Sequence, residues 1–259
     1  MLQSLKVRSF RKLVLLYLCI FVSLDLITTS FQFYMAYVLK RPEEFSLVLG
    51  LLIIVEIIAA FFTAPLAKKV GKQYAALFGC AVWILTGLCT LLLTPESPSF
   101  LIYVIAMAMG FGMAFPIVLL TSLFADVTDI GELYFGTRVE GVFSGVQTFI
   151  RKCASAIANA SFMAILGVTG FVAPITKIVG VREELIYQQQ PESMLTFIGL
   201  TIAVFPVIFL GIGIYILMKW PITSENHAKT IRYLETKRAG NQPDALLENE
   251  VLTLRDTIL

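Results

Sequence analysis

Six long apolar stretches constrain this chain more than any other feature of its sequence. They cover roughly 13–38, 45–66, 74–93, 99–124, 141–168 and 194–218. A helix needs about 20 mostly apolar residues to cross the hydrocarbon core of a bilayer, and inside lipid a helix satisfies its own backbone polar groups. We therefore predict an all-α membrane protein, with a bundle of six transmembrane helices over 1–222 and a cytoplasmic tail with a short helix over 223–259.

The composition also indicates a chain that crosses the lipid bilayer several times. Hydrophobic residues make up 58% of the 259 residues and charged residues only 15%, whereas a soluble domain has about a quarter of its residues charged. The first apolar stretch is too long for the core of a signal peptide, and no A-x-A cleavage site follows it. We therefore expect the first stretch to be a membrane span.

The sequence contains no recognisable signature of an enzyme or of a nucleic-acid-binding protein. Its four cysteines lie inside apolar stretches without a C-x-x-C pair, and its single histidine, His227, lies in the polar tail. This pattern predicts neither a disulfide framework nor a metal site. No nucleotide-binding loop and no usual nucleophile–base spacing occurs. Basic residues form no single patch, so we expect no nucleic-acid partner.

The distribution of lysine and arginine predicts the orientation of the chain. The residues before the first stretch, the 67–73 loop and the tail are rich in these bases, whereas the 94–98 loop has none. Cytoplasmic loops of membrane proteins carry the excess of lysine and arginine. We therefore expect a multi-pass protein of the cell (inner) membrane with both termini in the cytoplasm.

A compact acidic segment at 126–141, DVTDIGELYFGTRVEG, stands against this basic pattern. Its charged residues are Asp126, Asp129, Glu132, Arg138 and Glu140. The first three acids recur every three residues, which on a helical turn places them along one side. The expected basic partners belong to the other cytoplasmic loop: Lys68, Lys69 and Lys72. Two interpretations stay open, a solvated loop whose pairs are each worth under ~1 kcal/mol and a charge latch that holds in one conformation only.

The fifth apolar stretch carries polar side chains along one helical face. The face consists of Ser144, Thr148, Lys152, Ser155 and Asn159, with Gln147 and Arg151 beside it. Asp25 gives the first stretch a shorter polar face, and Glu56 is a fourth ionisable residue inside the spans. Such residues are costly in lipid and usually face a protein interior or an aqueous cavity. They either line a pathway or form pairs and hydrogen bonds that hold the bundle together.

The segment 126–152 resembles the signature of the glycoside–pentoside–hexuronide:cation symporters, a branch of the major facilitator superfamily. In that family a cytoplasmic D-x-x-D-x-G-E stretch precedes an Arg-x-Glu pair and a span that carries Gln-Thr and then Lys. The positions that match in order and spacing are Asp126, Asp129, Gly131, Glu132, Arg138, Glu140, Gln147, Thr148 and Lys152. The similarity extends over roughly 1–240 and corresponds to the C-terminal half of these transporters.

The resemblance implies alternating-access symport of a sugar, glycoside or uronate with Na⁺ or H⁺. It implies that Lys152 belongs to a charge network at the central cavity, with Gln147 and Thr148 as neighbours of the substrate. We add two substrate-binding candidates. Asp25 is an ionisable residue inside the first span, and Arg151 adds a second positive charge that would suit an anionic substrate such as a uronate. The acidic segment, with Arg138, is then implied to be a cytoplasmic latch of the outward-open state.

Members of this family have twelve spans, whereas six are predicted here, beginning where the seventh would begin. We therefore expect one half of a transporter, which pairs with a separately encoded half or with a second copy of itself. The site of the coupling ion is expected in the N-terminal half, and no cofactor or bound metal is expected in this one. Two alternatives stay open, an inactive truncated remnant and a membrane scaffold or accessory protein whose tail binds a partner.

Overall fold

A computed structural model describes residues 7–137, 140–179 and 182–258. Its helices are α1 (Arg8–Phe33), α2 (Phe45–Val70), α3 (Lys72–Cys89), α4 (Ser99–Phe135), α5 (Glu140–Val168), α6 (Glu192–Met218), α7 (Ser224–Arg238) and α8 (Ala245–Ile258). Two antiparallel strands, β1 (Ile175–Val179) and β2 (Arg182–Ile186), form a hairpin between α5 and α6. Helices α1 to α6 are long and apolar enough to cross a membrane, which confirms the predicted all-α membrane fold.

The six spans pack unevenly. Helix α4 packs against α2 and α3, and α6 packs against α1 and α3, whereas α5 packs chiefly against α1. Only 11% of the apolar window of α5 and 17% of that of α2 is buried, against 44% to 50% in the other four spans. The bundle therefore has a dense part around α4 and α6, and an open side at α5 and α2.

Helix α4 extends further than predicted. A span that ends near residue 124 and a following loop were expected, but α4 continues to Phe135 and ends at Gly136, whose φ of 68° is left-handed. The continuation is helical because its apolar residues also follow a helical spacing. Val127 and Ile130 are fully buried on one side of it. The acids of this segment therefore project from a helix rather than from a loop.

The two ends of the bundle differ in structure. At the end where α1 begins and α6 finishes, the Lys12 amine donates a hydrogen bond to the Lys219 carbonyl. Helices α7 and α8 lie at this end, which we call the tail end. At the opposite end, α1 finishes in a π-helical turn (Tyr34–Val38) and contacts the residue after β2, Tyr187. We call it the hairpin end. Neither the hairpin nor the π-helical turn was predicted.

Helices α2 and α4 approach each other closely at one glycine. A Cβ atom added at Gly110 of α4 would collide with the carbonyl oxygen of Leu52 in α2. Small residues at Ala106, Gly110 and Ala114 form the ridge that permits this approach, as is common between membrane helices. The same ridge sets the distance between the backbones of α2 and α4.

We expect Gly110→Ala to lower the free energy of unfolding by about 1–3 kcal/mol, because the added methyl group overpacks a backbone contact. The matched control is Gly50→Ala in α2, where a Cβ atom would meet nothing within 4 Å. That control should leave stability unchanged or raise it slightly, since alanine favours helix over glycine. Unfolding of the purified chain in detergent micelles measures both. Equal stability of the two variants would contradict the proposed contact.

Candidate functional site

Helix α5 presents an open polar face. Ser144, Thr148 and Lys152 are exposed on the surface of the bundle, whereas Phe143 and Val146 are buried against α1 and its neighbours. Lys152 lies near the middle of α5, far from either end of the span. The structure therefore places the first three residues of the predicted polar stripe on the open side of the bundle. Ser155 and Asn159, further along α5, are partly buried.

Helices α1 and α5 run parallel in register. Phe10 contacts Phe143, Phe21 contacts Arg151 and Thr29 contacts Asn159, so contacts advance in the same order along both helices. The Arg151 guanidinium lies 4.0 Å from the centroid of the Phe21 ring, a cation–π contact. The Thr29 hydroxyl donates to the Asn159 side-chain oxygen. Asp25 lies on α1 between these last two contacts.

Three buried polar atoms along this contact have no partner. They are Oδ2 of Asp25, Oε1 of Gln147 and Nε of Arg151, half of the six such side-chain atoms in the described residues. Buried polar groups in proteins are nearly always hydrogen-bonded. By the parallel register, the three atoms lie within about two helical turns of one another. This part of the bundle can therefore form hydrogen bonds with a polar group that the described residues do not supply.

The four ionisable residues inside the spans do not pair with one another. No ion pair joins Asp25, Glu56, Arg151 or Lys152 within the part of the chain that the structure describes. Local pairing, one of the two interpretations left open by the sequence, is therefore not seen. Thr29–Asn159 is the hydrogen bond that does join the two polar faces.

A second cluster of charges lies at the tail end. The Lys72 amine donates to both carboxylate oxygens of Asp126, at 2.7 Å each. Nε2 of His227 lies 3.0 Å from a carboxylate oxygen of Asp129 and 3.4 Å from one of Asp126. Asp126 is only 5% exposed, and a buried carboxylate is costly unless it is paired and hydrogen-bonded. Lys72 and His227 therefore hold the start of α3 and the tail helix α7 against α4.

Glu132 completes this cluster further along α4. Arg238, near the end of α7, donates to both oxygens of the Glu132 carboxylate, a geometry that suits the planar guanidinium. The hydrogen bonds to Glu132 raise the pKa of Arg238. The Arg238 side chain is half exposed, so the pair serves mainly to fix the position of α7 along α4.

Apolar contacts also hold the tail in place. Tyr233, Leu234 and Val251 are buried in a small cluster against Leu133 and Leu247. Lys229 of α7 forms ion pairs with Glu225 and with Glu250 of α8. Both carboxylates raise the pKa of Lys229 through hydrogen bonds. The tail is thus a docked helical pair on the end of α4.

The predicted latch residues have different positions in the structure. Asp126, Asp129 and Glu132 lie together along α4 with Lys72, but Lys68 and Lys69 are exposed and form no ion pair with any described residue. Glu140 begins α5 and is exposed. Arg138 lies outside the described residues.

Two partners of the acids were missed from the sequence, His227 and Arg238. They are eleven residues apart, which is close to three full turns, so they share one face of α7. That spacing, opposite three acids spaced by three, is the signal that could have found them.

We expect Lys72→Met to lower the free energy of unfolding by about 1–3 kcal/mol, because Asp126 would remain buried without its strongest donor. The matched control is Lys69→Met, which removes an exposed lysine from the last turn of α2, three residues away, and should change stability little. Unfolding in detergent micelles measures both variants. If Lys69→Met proves as destabilising as Lys72→Met, the pair with Asp126 contributes no specific stability.

Comparisons with known proteins assign the chain to a family. Residues 1–224 match the model of the MFS/sugar transport protein family. The chain is 26% identical over 232 residues to a glucuronide carrier protein homolog of Escherichia coli (strain K12), which covers 87% of this chain and 46% of that protein. It is 26% identical over 244 residues to the raffinose carrier protein of Pediococcus pentosaceus, covering 93% of this chain and 36% of that one.

A third relative has a different kind of substrate in its name. The chain is 24% identical over 241 residues to the sodium-dependent lysophosphatidylcholine symporter 1 of Xenopus tropicalis, covering 91% of this chain and 42% of that protein. The chain therefore spans less than half the length of these relatives. The family consists of transporters rather than enzymes, and its match covers the whole six-helix bundle. The chain belongs to the MFS/sugar transport protein family, in its glycoside–pentoside–hexuronide:cation symporter branch.

Proposed function

We propose that the chain is one half of a secondary active transporter, which moves a sugar, glycoside or uronate together with a cation by alternating access. The observation that carries this proposal is the open polar face of α5, together with the unpartnered buried atoms of Asp25, Gln147 and Arg151. Such a face is suited to border an aqueous cavity between two bundles, the arrangement that alternating access requires.

The energetic argument rests on Lys152. An amine at the centre of a membrane helix costs about 2.5–3.5 kcal/mol on insertion scales, and no described residue forms an ion pair with this one. Contact with water or with polar groups of a second bundle would remove most of that cost. The second bundle is either a separately encoded N-terminal half or another copy of this chain. The site of the coupling ion, Na⁺ or H⁺, is proposed to lie in that other half.

The residues of this face suit a substrate with hydroxyl and carboxylate groups. Lys152 and Arg151 supply positive charge, Gln147 and Thr148 supply neutral donors and acceptors, and Asp25 supplies a carboxylate acceptor. The names of the glucuronide and raffinose carriers among the relatives support a sugar. Two adjacent cations favour a uronate over a neutral sugar at this site.

A second candidate substrate is an amphipathic lipid. An apolar groove of about 400 Å³ lies between α1, α5 and α6, with Leu26, Ile157, Phe197 and Phe205 among its lining residues. The groove is lined almost entirely by apolar side chains and includes residues of α5, so it suits an acyl chain. The name of the lysophosphatidylcholine symporter supports this candidate.

The charge cluster at the tail end is proposed to act as the latch, on the cytoplasmic side. Both termini and the 67–73 loop would face the cytoplasm, as the distribution of lysine and arginine indicates. Asp126, Asp129 and Glu132 are occupied here by cations of α3 and α7. Any basic group from a second bundle would have to compete with these partners, so the latch would couple closure of the cytoplasmic side to the position of the tail.

Uptake measurements test the proposal. The chain is expressed in membrane vesicles alone and together with the half of the E. coli glucuronide carrier homolog that it does not match. Labelled methyl glucuronide, raffinose and lysophosphatidylcholine are offered under Na⁺ and proton gradients. We expect uptake of methyl glucuronide when both halves are present, and uptake by the chain alone would show that a second copy supplies the other bundle. Lys152→Ala should reduce it by more than about tenfold, the loss of a charge-assisted contact.

The matched control is Lys68→Ala, which removes an exposed lysine from the last turn of α2 and should retain uptake. Uptake that is unchanged in Lys152→Ala would remove this lysine from the mechanism. No uptake of any substrate by the chain alone or with the second half, from a chain that folds and inserts, would favour the remnant or scaffold interpretation. Uptake of the lysolipid alone would favour the second candidate.

A further inference from the structure

A polar cavity lies at the hairpin end, away from the open face of α5. It has a volume of about 810 Å³ and lies between the end of α1, the start of α2 and the residues that lead into α6. The side chains that matter for its chemistry are Tyr37, Lys40, Glu43, Tyr187, Gln189 and Glu192. None of them belongs to the charge cluster of the tail end or to the polar face of α5.

The backbone that forms one wall of this cavity departs from regular geometry. Helix α1 widens into a π-helical turn at Tyr34–Val38, a feature often found at functional sites. Two residues later, Lys40 has a φ of 56°, the only positive φ of a residue other than glycine in the described part of the chain. A left-handed lysine is strained and persists only when its surroundings hold it.

One polar group in this wall is free to bind a ligand. Tyr37 is only 8% exposed, and its ring is enclosed by Phe33, Phe171 and Tyr187 at centroid distances of 6.3, 5.7 and 5.5 Å. Its hydroxyl forms no hydrogen bond with any described residue and is not among the buried unpartnered atoms, so it is accessible from the cavity. A hydroxyl group of a ligand there would form a hydrogen bond with it.

The remaining groups suit a neutral ligand rich in hydroxyls. Gln189 offers an amide donor and acceptor, Lys40 a donor, and Glu43 and Glu192 two carboxylate acceptors. The carboxylates outnumber the single amine, so the site disfavours an anion. Tyr187 is 38% exposed and can offer its ring to the C–H face of a pyranose.

A neighbouring glutamine shapes the cavity rather than binding in it. The amide group of Gln190 is already committed to both backbone groups of Val172 and to the carbonyl of Gln188. This bracing fixes the segment that carries Tyr187 and Gln189 against the chain that follows α5. The wall is therefore preformed, which lowers the entropic cost of binding.

We propose that this cavity is a binding site for a neutral sugar ring, separate from the polar face of α5, at the face of the bundle through which a glycoside enters. The inference rests on the proposed function for the identity of the ligand as a glycoside. With the termini in the cytoplasm, the hairpin end faces the exterior, so the site would be met before the central cavity.

Lysine footprinting of the full chain in lipid nanodiscs tests the site. An amine-acetylating reagent is applied with and without raffinose, and mass spectrometry follows Lys40, Lys152 and Lys69 individually. We expect raffinose to slow acetylation of Lys40 and to leave Lys69, at the tail end, unchanged. In Tyr37→Phe and in Tyr187→Ala, the raffinose concentration that half-protects Lys40 should rise about fivefold to tenfold, the loss of one net contact.

The matched control is Tyr74→Phe, which removes an exposed tyrosine hydroxyl at the tail end and should leave protection of Lys40 as in the wild type. Protection of Lys152 alone would overturn this site while leaving the proposed function intact. Protection of Lys40 that both tyrosine variants retain would also overturn it. Methyl glucuronide that protects Lys40 at lower concentrations than raffinose would refute a neutral ligand. No protection of Lys40 by either sugar would overturn this site, whereas the proposed function is decided by uptake with both halves present.

Discussion

The cost of placing an amine in the middle of a membrane helix is the constraint on which the rest of this structure depends. Lys152 lies near the centre of α5 and is exposed on the bundle surface. Lipid cannot stabilise a charge there, because hydrocarbon offers neither a hydrogen-bond partner nor a counter-charge. The bundle is dense around α4 and α6 and open at α5. Helix α1 therefore lies between two environments. On one side it packs into the dense core, and on the other it contacts α5 through polar groups that are only partly hydrogen-bonded.

At the tail end, the constraint is a buried carboxylate rather than an amine in the membrane. Asp126 is nearly buried and is shared between Lys72 and His227, so the start of α3 and the tail helix depend on one carboxylate. A movement that separates α3 from α4 must break the Lys72 pair, and the position of His227 would follow. The apolar cluster around Tyr233 and Val251 opposes such movement. The tail is thus held by the same acids of α4 that hold the start of α3.

The sequence predicts what depends on local periodicity and misses what depends on distant partners. The polar face of α5 could be predicted because its residues repeat at helical spacing. Lys72 could be predicted as a partner of Asp126 because both belong to connections on the same side of the membrane. The length of α4 was not predicted, because the acids around Val127 and Ile130 made the segment look like a polar loop, although these two apolar residues are buried at helical spacing. The pairing of Glu132 with Arg238 joins residues 106 positions apart. Its one sequence signal is the spacing of His227 and Arg238 opposite the acids of α4, and no local pattern reveals the π-helical turn.

The charges of the two proposed sites favour an order of events. The cavity at the hairpin end has more acidic than basic side chains, whereas the face of α5 carries the adjacent cations Arg151 and Lys152. A ligand that binds there by its neutral ring would leave a carboxylate, if it has one, free to be attracted by the cations deeper in the span, because charges at a protein surface attract more strongly than in bulk water. A neutral oligosaccharide would gain nothing from that second step except hydrogen bonds. The inner site, rather than the outer one, would therefore decide between a uronate and a neutral sugar, and the outer one would select only for the ring.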